Sequence, residues 1–336
     1  MGKGRLFRIV CGVMIGIIVV VLIAVTVGDD DTSVDVSVDL SQPYADTTEW
    51  MSYLSDDLYI SELSIPGTHN SAAEHVMLRY VMRCQNTDIK EQLENGYRYL
   101  DLRVALDEKT GQVKLVHNFV SCHTSSNPFS EYLYFDDVTA EIYSFLQQHS
   151  TETVIVNIKI EDGDHSISDI QAQLLSEIKS NKDYWYYENE IPTLKEARGR
   201  IVLATRFEDE AGTGITGLPM AWDEQDNKTP TDIPYELYVN DEFRYWVQDR
   251  YNYTVEDKYD AVVDGLENCE ADDNTFFLNF VSTTGDGKIG HPYGYAKNLN
   301  SLLLEYQFKN NTSYGIIIVD FGTEDLARQV YYTNTF

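Results

Sequence analysis

Two histidines stand where short apolar runs end. His69 lies in Ser64-Ile-Pro-Gly-Thr-His69-Asn-Ser71 and His117 in Lys114-Leu-Val-His117-Asn118. Between them runs Tyr99-Leu-Asp101-Leu-Arg103-Val104. An imidazole exchanges protons near neutral pH, and a guanidinium grips a phosphate through a planar fork. Two histidines and an arginine are a minimal set for breaking a phosphodiester without a metal. No carboxylate or histidine cluster with metal-ligand spacing surrounds them in the sequence, so no metal ligand and no cofactor is assigned. His69 alone reads as a structural histidine. Pro66-Gly67 just before it is a tight turn that would lift the ring clear of a strand end. Lys159 sits inside an apolar run, where a lysine needs a counter-ion or a ligand. Adjacent strand residues face opposite ways, so Glu161 rather than Asp162 is its structural partner, and a bound ligand is the competing explanation.

The elements that must position these groups are legible as apolar runs rich in branched residues. They fall at Leu58–Ile65, Tyr99–Leu106, Val113–Phe119, Thr153–Ile160, Arg200–Phe207, Phe276–Ser282 and Tyr314–Phe321. Those around Val154 and Ile316 are near-continuous, as strands buried on both faces are. Helical spacing of three and four recurs between them, at Asp137–Gln148, Ser168–Ser180, Val255–Asn268 and Ala296–Phe308. Ser71-Ala-Ala-Glu74 reads as a capping box that opens a further helix to about Arg83. Strand and helix alternating over most of the chain predict a parallel α/β fold, most simply a closed barrel. In such a barrel, catalytic residues cluster at the carboxyl ends of strands. His69, Asp101, Arg103, His117, Lys159, Arg206 and Asp320 all fall at strand ends in this reading, which a purely structural account does not explain.

The chain has 336 residues, 43% of them hydrophobic, with 24 tyrosines and 13 phenylalanines, enough for a sizeable core. Its formal charge of −30 argues against nucleic acid as a partner. An enzyme of this charge acting on an anionic lipid must focus positive potential inside its site. Lys3, Arg5 and Arg8 precede an uncharged run from Ile9 to Val27, and Asp29-Asp-Asp31 follows. That order places the following domain outside the cytoplasm, behind an N-terminal signal anchor or a cleaved signal peptide over residues 1–28. Residues 29–49 read as an acidic linker and residues 50–336 as one catalytic domain. Cys84, Cys122 and Cys269 then meet an oxidising compartment, and a Cys84–Cys122 disulfide stands beside three inert thiols as the alternative. Gly212-Thr-Gly214-Ile-Thr-Gly217 formally matches a dinucleotide fingerprint, but Leu218-Pro219 follows where a helix should, so a loop is expected. His123, His149 and His165 are taken as surface residues.

In order, the landmarks are Ser64-Ile-Pro-Gly-Thr-His69, Gln92-Leu-Glu-Asn-Gly96-Tyr-Arg-Tyr-Leu-Asp101-Leu-Arg103, Leu115-Val-His117, Val154-Ile-Val-Asn-Ile-Lys159, Val247-Gln-Asp249-Arg-Tyr251, Phe276-Phe-Leu-Asn279 and Ile318-Val-Asp320. Together they resemble the bacterial phosphatidylinositol-specific phospholipase C family over about residues 50 to 336. The resemblance implies a distorted TIM-type barrel, whether fully or incompletely closed being left open. It implies His69 as general base, His117 as general acid, Arg103 as the phosphate clamp and Asp320 as the group orienting His69. Asp101 and Asn70 join the catalytic set, and Lys159, Arg206, Asp249 and Tyr251 hold the inositol ring. The substrate implied is phosphatidylinositol in membranes, with glycosylphosphatidylinositol-anchored proteins left open, cleaved to inositol 1,2-cyclic phosphate and diacylglycerol by a monomer.

Two positions depart from the family pattern. Asn70 replaces an aspartate that supports the acid side, and Asn118 replaces a glycine. Calcium-dependent relatives carry Asn at the first position, but with carboxylates where this chain has Arg103 and Lys159, and those two cations repel a divalent metal. A glycerophosphodiester phosphodiesterase would need an early His-Arg-Gly and acidic metal ligands. A non-catalytic inositol- or glycan-binding surface protein is the remaining alternative. For membrane contact, the expected helix after His69 offers Val76, Met77, Tyr80 and Val81 beside Arg79 and Arg83, unless that stripe packs on the barrel.

Overall fold

The computed structural model describes residues 40–127, 129–161, 167–286 and 290–336. Its strands are β1 (Ile65–Thr68), β2 (Tyr99–Leu106), β3 (Val113–His117), β4 (Val120–Ser121), β5 (Val154–Ile160) and β6 (Trp185–Tyr186). They continue with β7 (Ile201–Thr205), β8 (Leu218–Pro219), β9 (Glu236–Val239), β10 (Arg244–Gln248), β11 (Thr275–Phe280) and β12 (Ile316–Val319). The sheet runs β6-β7-β5-β2-β1-β12-β11-β10-β9. Every neighbouring pair is parallel except β9 with β10. Among the described residues, no strand pairing joins the two ends of this order. Side chains cross the gap instead: Asn240 Nδ2 donates to the Pro219 carbonyl, and the Tyr245 hydroxyl to that of Ala221. This is the distorted barrel of the family resemblance, open between its end strands, and not the closed barrel that the alternation of strands and helices suggested.

The helices are α1 (Arg79–Met82), α2 (Ile89–Glu94), α3 (Phe135–Gln148), α4 (Ile167–Ser180), α5 (Leu194–Ala197), α6 (Val255–Glu267), α7 (Pro292–Glu305) and α8 (Glu324–Tyr331). Strand residues alternate between two cores, because successive side chains point to opposite faces. Tyr99, Ile155, Val202, Val247, Leu278 and Ile318 fill the barrel interior. Leu100, Val156 and Leu203 meet α3 and α4 outside, and Ile317 and Val319 meet α6 to α8.

Three expectations need correction. The run Leu58–Ile65 is not a strand but a 3₁₀ turn at Ile60–Glu62, with β1 beginning only at Ile65. Ser71 does not cap a helix. Its hydroxyl donates to the Thr68 carbonyl and accepts from the Thr68 hydroxyl, and left-handed backbone at Asn70 and Leu78 confines the helix to α1. Cys84 and Cys122 form no disulfide: both thiols are free and buried, with Cys122 inside the outer core. His123 is also buried, its Nδ1 3.1 Å from the Ser130 carbonyl, whereas the loop at Gly212–Gly217 is as expected. Strands β9 and β10 were not foreseen. The part of the expected linker from Pro43 lies on the barrel, where Tyr44 stacks on Phe336 and Thr47 donates to the Glu94 carbonyl. The apolar run at residues 9–27 and His165 lie outside the described residues. Among those described, no helix is long and apolar enough to cross a membrane.

Candidate active site

The site is the next layer of the barrel interior, reached by counting two residues along each strand. Ile65 and Gly67 lead to His69; Tyr99 and Asp101 lead to Arg103; Ile155 and Asn157 lead to Lys159. Val202 and Ala204 lead to Arg206, Tyr245 and Val247 to Asp249, Leu278 and Phe280 to Ser282, and Ile316 and Ile318 to Asp320. The register supports this, since Arg103 is directly opposite Lys159 and Asp101 opposite Asn157. Gly67 is needed because a Cβ there would sit 2.9 Å from the Tyr99 ring. The floor below is apolar on one side and polar under Arg103. The seven side chains therefore converge on a cavity of about 480 Å³ that His117, Glu161, Glu224 and Tyr251 also line.

His69 is held at both ring nitrogens. Nδ1 lies 2.8 Å from Asp320 Oδ1, and Arg103 Nη2 donates to Nε2 at 2.9 Å. A guanidinium has no acceptor, so Nε2 carries the lone pair and Nδ1 the proton. Asn70, in left-handed backbone, donates its N–H to Asp101 Oδ2 and brings its amide 3.3 Å from His69 Nε2. Its side chain therefore serves the His69 side, not the His117 side that the resemblance suggested. Burial alone would raise the Asp101 pKa, but Arg103, His69, Arg206 and the Asn70 N–H outweigh it and hold it at about 2. Desolvation opposes the charge on the partly buried Arg103, yet Asp101, Glu161 and Asp249 push its pKa further up, so it is a permanent cation.

His117 comes from outside the layer, on the β3–β4 hairpin that pairs antiparallel with β2. Asn118 turns that hairpin with φ of 52°, a left-handed conformation that asparagine tolerates in place of glycine. Its N–H donates to Glu161 Oε2 at 2.7 Å. His117 Nδ1 donates to the Met82 carbonyl at 2.7 Å, which leaves Nε2 for the cavity. The rings of His69 and His117 lie 6.4 Å apart and nearly perpendicular. Burial first, then Arg103 and His69, push the His117 pKa down to about 4.

Across the cavity, Lys159 Nζ meets Glu224 at 2.9 Å and Glu161 at 3.4 Å, so Glu161 is its partner but shares that role. Glu161 also receives Arg103 Nη1 at 2.9 Å. Burial opposes ionisation of Glu161, but Arg103, Lys159 and the Asn118 N–H lower its pKa. The Arg206 guanidinium lies 3.5 Å over the Trp222 ring, and Trp222 Nε1 donates to Asp249 Oδ2 at 3.0 Å. The Tyr251 hydroxyl donates to Glu224 Oε2 at 3.2 Å. All ten residues expected at the site are thus brought together. Sequence reasoning missed Trp222, Glu224 and Ser282, and saw in Glu161 only a counter-ion. Ser282 was recoverable by the two-residue count from Phe280. Trp222 and Glu224 lie in irregular chain that carries no periodic signal.

A model of the X domain of phosphatidylinositol-specific phospholipase C matches residues 60–207. The 1-phosphatidylinositol phosphodiesterase of Listeria monocytogenes is 26% identical over 303 residues, covering 86% of each chain. That of Staphylococcus aureus strain Newman is 26% identical over 311 residues, 85% of this chain and 93% of its own. Residues 60–207 belong to this X-domain family, and the two relatives are similar to the chain well beyond that segment. The X-domain segment carries His69, Asn70, Asp101, Arg103, His117, Lys159 and Arg206, while Asp249, Tyr251 and Asp320 come from the chain beyond it. A solved phosphatidylinositol-specific phospholipase C from S. aureus, in a pentafluoro-Phe form, superposes with a TM-score of 0.70 at 20% identity, over 87% of this chain and 99% of its own. The enzyme from L. monocytogenes gives 0.63 at 24% identity, over 86% and 99%. Both likenesses show the shared barrel.

Proposed function

We propose that this chain cleaves the phosphodiester of phosphatidylinositol, releasing diacylglycerol and inositol 1,2-cyclic phosphate. One observation carries the reading. A histidine with its tautomer set by Asp320 and Arg103 faces a second, perpendicular histidine across a pocket edged by three fixed cations.

In this reading His69 Nε2 accepts the proton of the inositol 2-hydroxyl. The oxygen attacks the adjacent phosphorus, which is already within reach in the same molecule. Arg103, braced by Asp101 and Glu161, neutralises charge on the phosphoryl oxygens. As the phosphorus–glycerol oxygen bond breaks, His117 Nε2 gives its proton to the departing diacylglycerol. Empty, His117 is kept neutral partly by Arg103 and His69. A phosphodiester anion seated on Arg103 offsets that repulsion, so the substrate itself charges the acid. Lys159, Arg206, Asp249 and Tyr251 hold the inositol hydroxyls, with Glu161 and Glu224 orienting Lys159. Arg103 and Lys159 put positive charge where a divalent ion would lie in calcium-dependent relatives, which supports a metal-free reaction. Placement outside the cytoplasm, a monomeric state and action on glycosylphosphatidylinositol anchors belong to the same proposal.

Turnover of phosphatidylinositol vesicles with and without EDTA, followed by phosphorus NMR of the product, tests it. Cyclic phosphate formed at the same rate in both is expected, and His69→Ala or His117→Ala lowers the rate about 10²–10⁴-fold. Activity lost on chelation and restored by calcium would overturn the metal-free mechanism. A folded alanine variant that keeps a tenth of the rate, as an order of magnitude, would overturn the roles.

A further inference from the structure

Cys84 takes no part in the chemistry above, yet its thiol lies in the floor of the same cavity. The segment that carries it crosses beneath both histidines. The Cys84 carbonyl accepts the Phe321 N–H at 2.7 Å, next to Asp320, and Gln85 Nε2 donates to the His69 carbonyl at 2.8 Å. The sulfur is 3.7 Å from His117 Nδ1. One ligand atom each from His69, Cys84 and Asp320 fall within 4.8 Å of one another. Ligand atoms of a tetrahedral zinc ion stand about 3.5 Å apart, given bonds of about 2.0–2.3 Å.

The donor set decides which cation fits. Calcium and magnesium take oxygen ligands, whereas imidazole, thiolate and carboxylate together suit zinc and its soft neighbours. Charge decides where it fits. Arg103 meets His69 at Nε2, so the Nδ1 edge, with Asp320 beside it, is the anionic side of the ring. A cation there is separated from Arg103 by the imidazole. This position is distinct from the one that Arg103 and Lys159 deny to calcium.

We propose that His69, Cys84 and Asp320 form an inhibitory site for zinc and similar borderline-soft divalent cations. Inhibition rests on His69 being the base; binding does not. The proton balance explains the inhibition. Cys84 releases its proton to solvent and binds as thiolate, and Asp320 binds as carboxylate. The His69 proton moves from Nδ1 to Nε2, so that Nδ1 can coordinate, and one proton leaves for each ion bound. Nε2 then carries hydrogen instead of a lone pair, faces the Arg103 donors and can no longer accept the inositol proton.

The test uses the full chain, with hydrolysis of soluble inositol 1,2-cyclic phosphate titrated with zinc chloride, so that zinc bound to lipid plays no part. Cys84→Ala should turn over normally without metal and need at least about tenfold more zinc for half-inhibition, since disturbing a metal's ligand environment costs about 10–100-fold in affinity. EDTA should restore the inhibited wild type. Independently of turnover, cobalt chloride should give the wild type a thiolate-to-cobalt absorption band that Cys84→Ala lacks. Cys84→Ser replaces the alanine variant if that loses the native circular-dichroism spectrum. No inhibition, equal inhibition of both proteins, or a cobalt spectrum without the Cys84-dependent band overturns the site. A chain without turnover would count against the proposed function instead, and the cobalt spectrum would still decide the metal site.

Discussion

His117 is in greater electrostatic tension than any other imidazole described here. Burial, Arg103 and His69 hold its pKa at about 4, against 6.5 when solvated. A depressed histidine binds fewer protons folded than unfolded. It therefore stabilises fully above pH 6.5, and that stability is lost as pH falls through about 4. The shift corresponds to at most about 3 kcal/mol. Urea unfolding at pH 7 and pH 4.5 should show a larger loss for the wild type than for His117→Gln; equal losses would mean the acid sensitivity lies elsewhere. Asp101, held at about 2, adds its own loss only below that range. At this scale the sequence was most informative. Histidine, arginine and lysine at the ends of apolar runs were enough to nominate the site. What could not be read was the partner at each atom. Asn70 touches His69 because left-handed backbone turns it that way, and no residue type announces that.

The segment from Val76 to Arg83 is the element that the sequence described only in part. It was expected as one amphipathic helix, and α1 is a single turn. Val76 is core, whereas Met77 is 55% and Tyr80 45% exposed, with Tyr80 stacked on His291. Val81 and Met82 line the cavity, and Phe119, at the tip beside His117, is 80% exposed. Exposed apolar side chains around the mouth of a lipid-cleaving pocket form a surface that can enter the headgroup boundary. Changing Met77 and Tyr80 together to Ser should weaken vesicle binding and lipid cleavage while sparing hydrolysis of soluble cyclic phosphate. Equal loss on both substrates would assign the segment to structure alone. The neighbouring strands were easier to read. Buried β12 is an unbroken apolar run and β5 is nearly one, while β9 alternates exposed and half-buried residues at the sheet edge and gave no signal above loop.

Two features belong to the molecule as a whole. At the amino-terminal end of the barrel Arg98 is fully buried. It pairs with Glu152 at 2.9 Å and donates to the carbonyls of Leu93, Tyr97, Thr47 and Thr48. It thus ties the chain before β1 to β2 and β5. Removing one partner of a buried pair leaves a charge without compensation, at a cost of about 3–5 kcal/mol. Arg98→Met should lose that much in denaturant unfolding, and a loss under about 1 kcal/mol would show the pair to be dispensable. The second feature is the charge of −30. Attraction to an anionic membrane cannot be global, so binding to phosphatidylinositol vesicles should strengthen as salt rises from low ionic strength. Steady weakening with salt would indicate a basic docking face instead.

By itself the sequence determined the class of fold, the parallel strands and the residues that meet at their carboxyl ends. Strand periodicity and chemically costly buried side chains are local signals, so they survive in one dimension. Only the tertiary structure decided how the barrel stays open between β8 and β9, which nitrogen of His69 holds the lone pair, and that Cys84 comes to lie beside His117 and Asp320. Those facts depend on groups 15 to 251 residues apart in the chain being packed within a few ångströms. Distances of that kind are set by layer and register, and composition and spacing do not encode them.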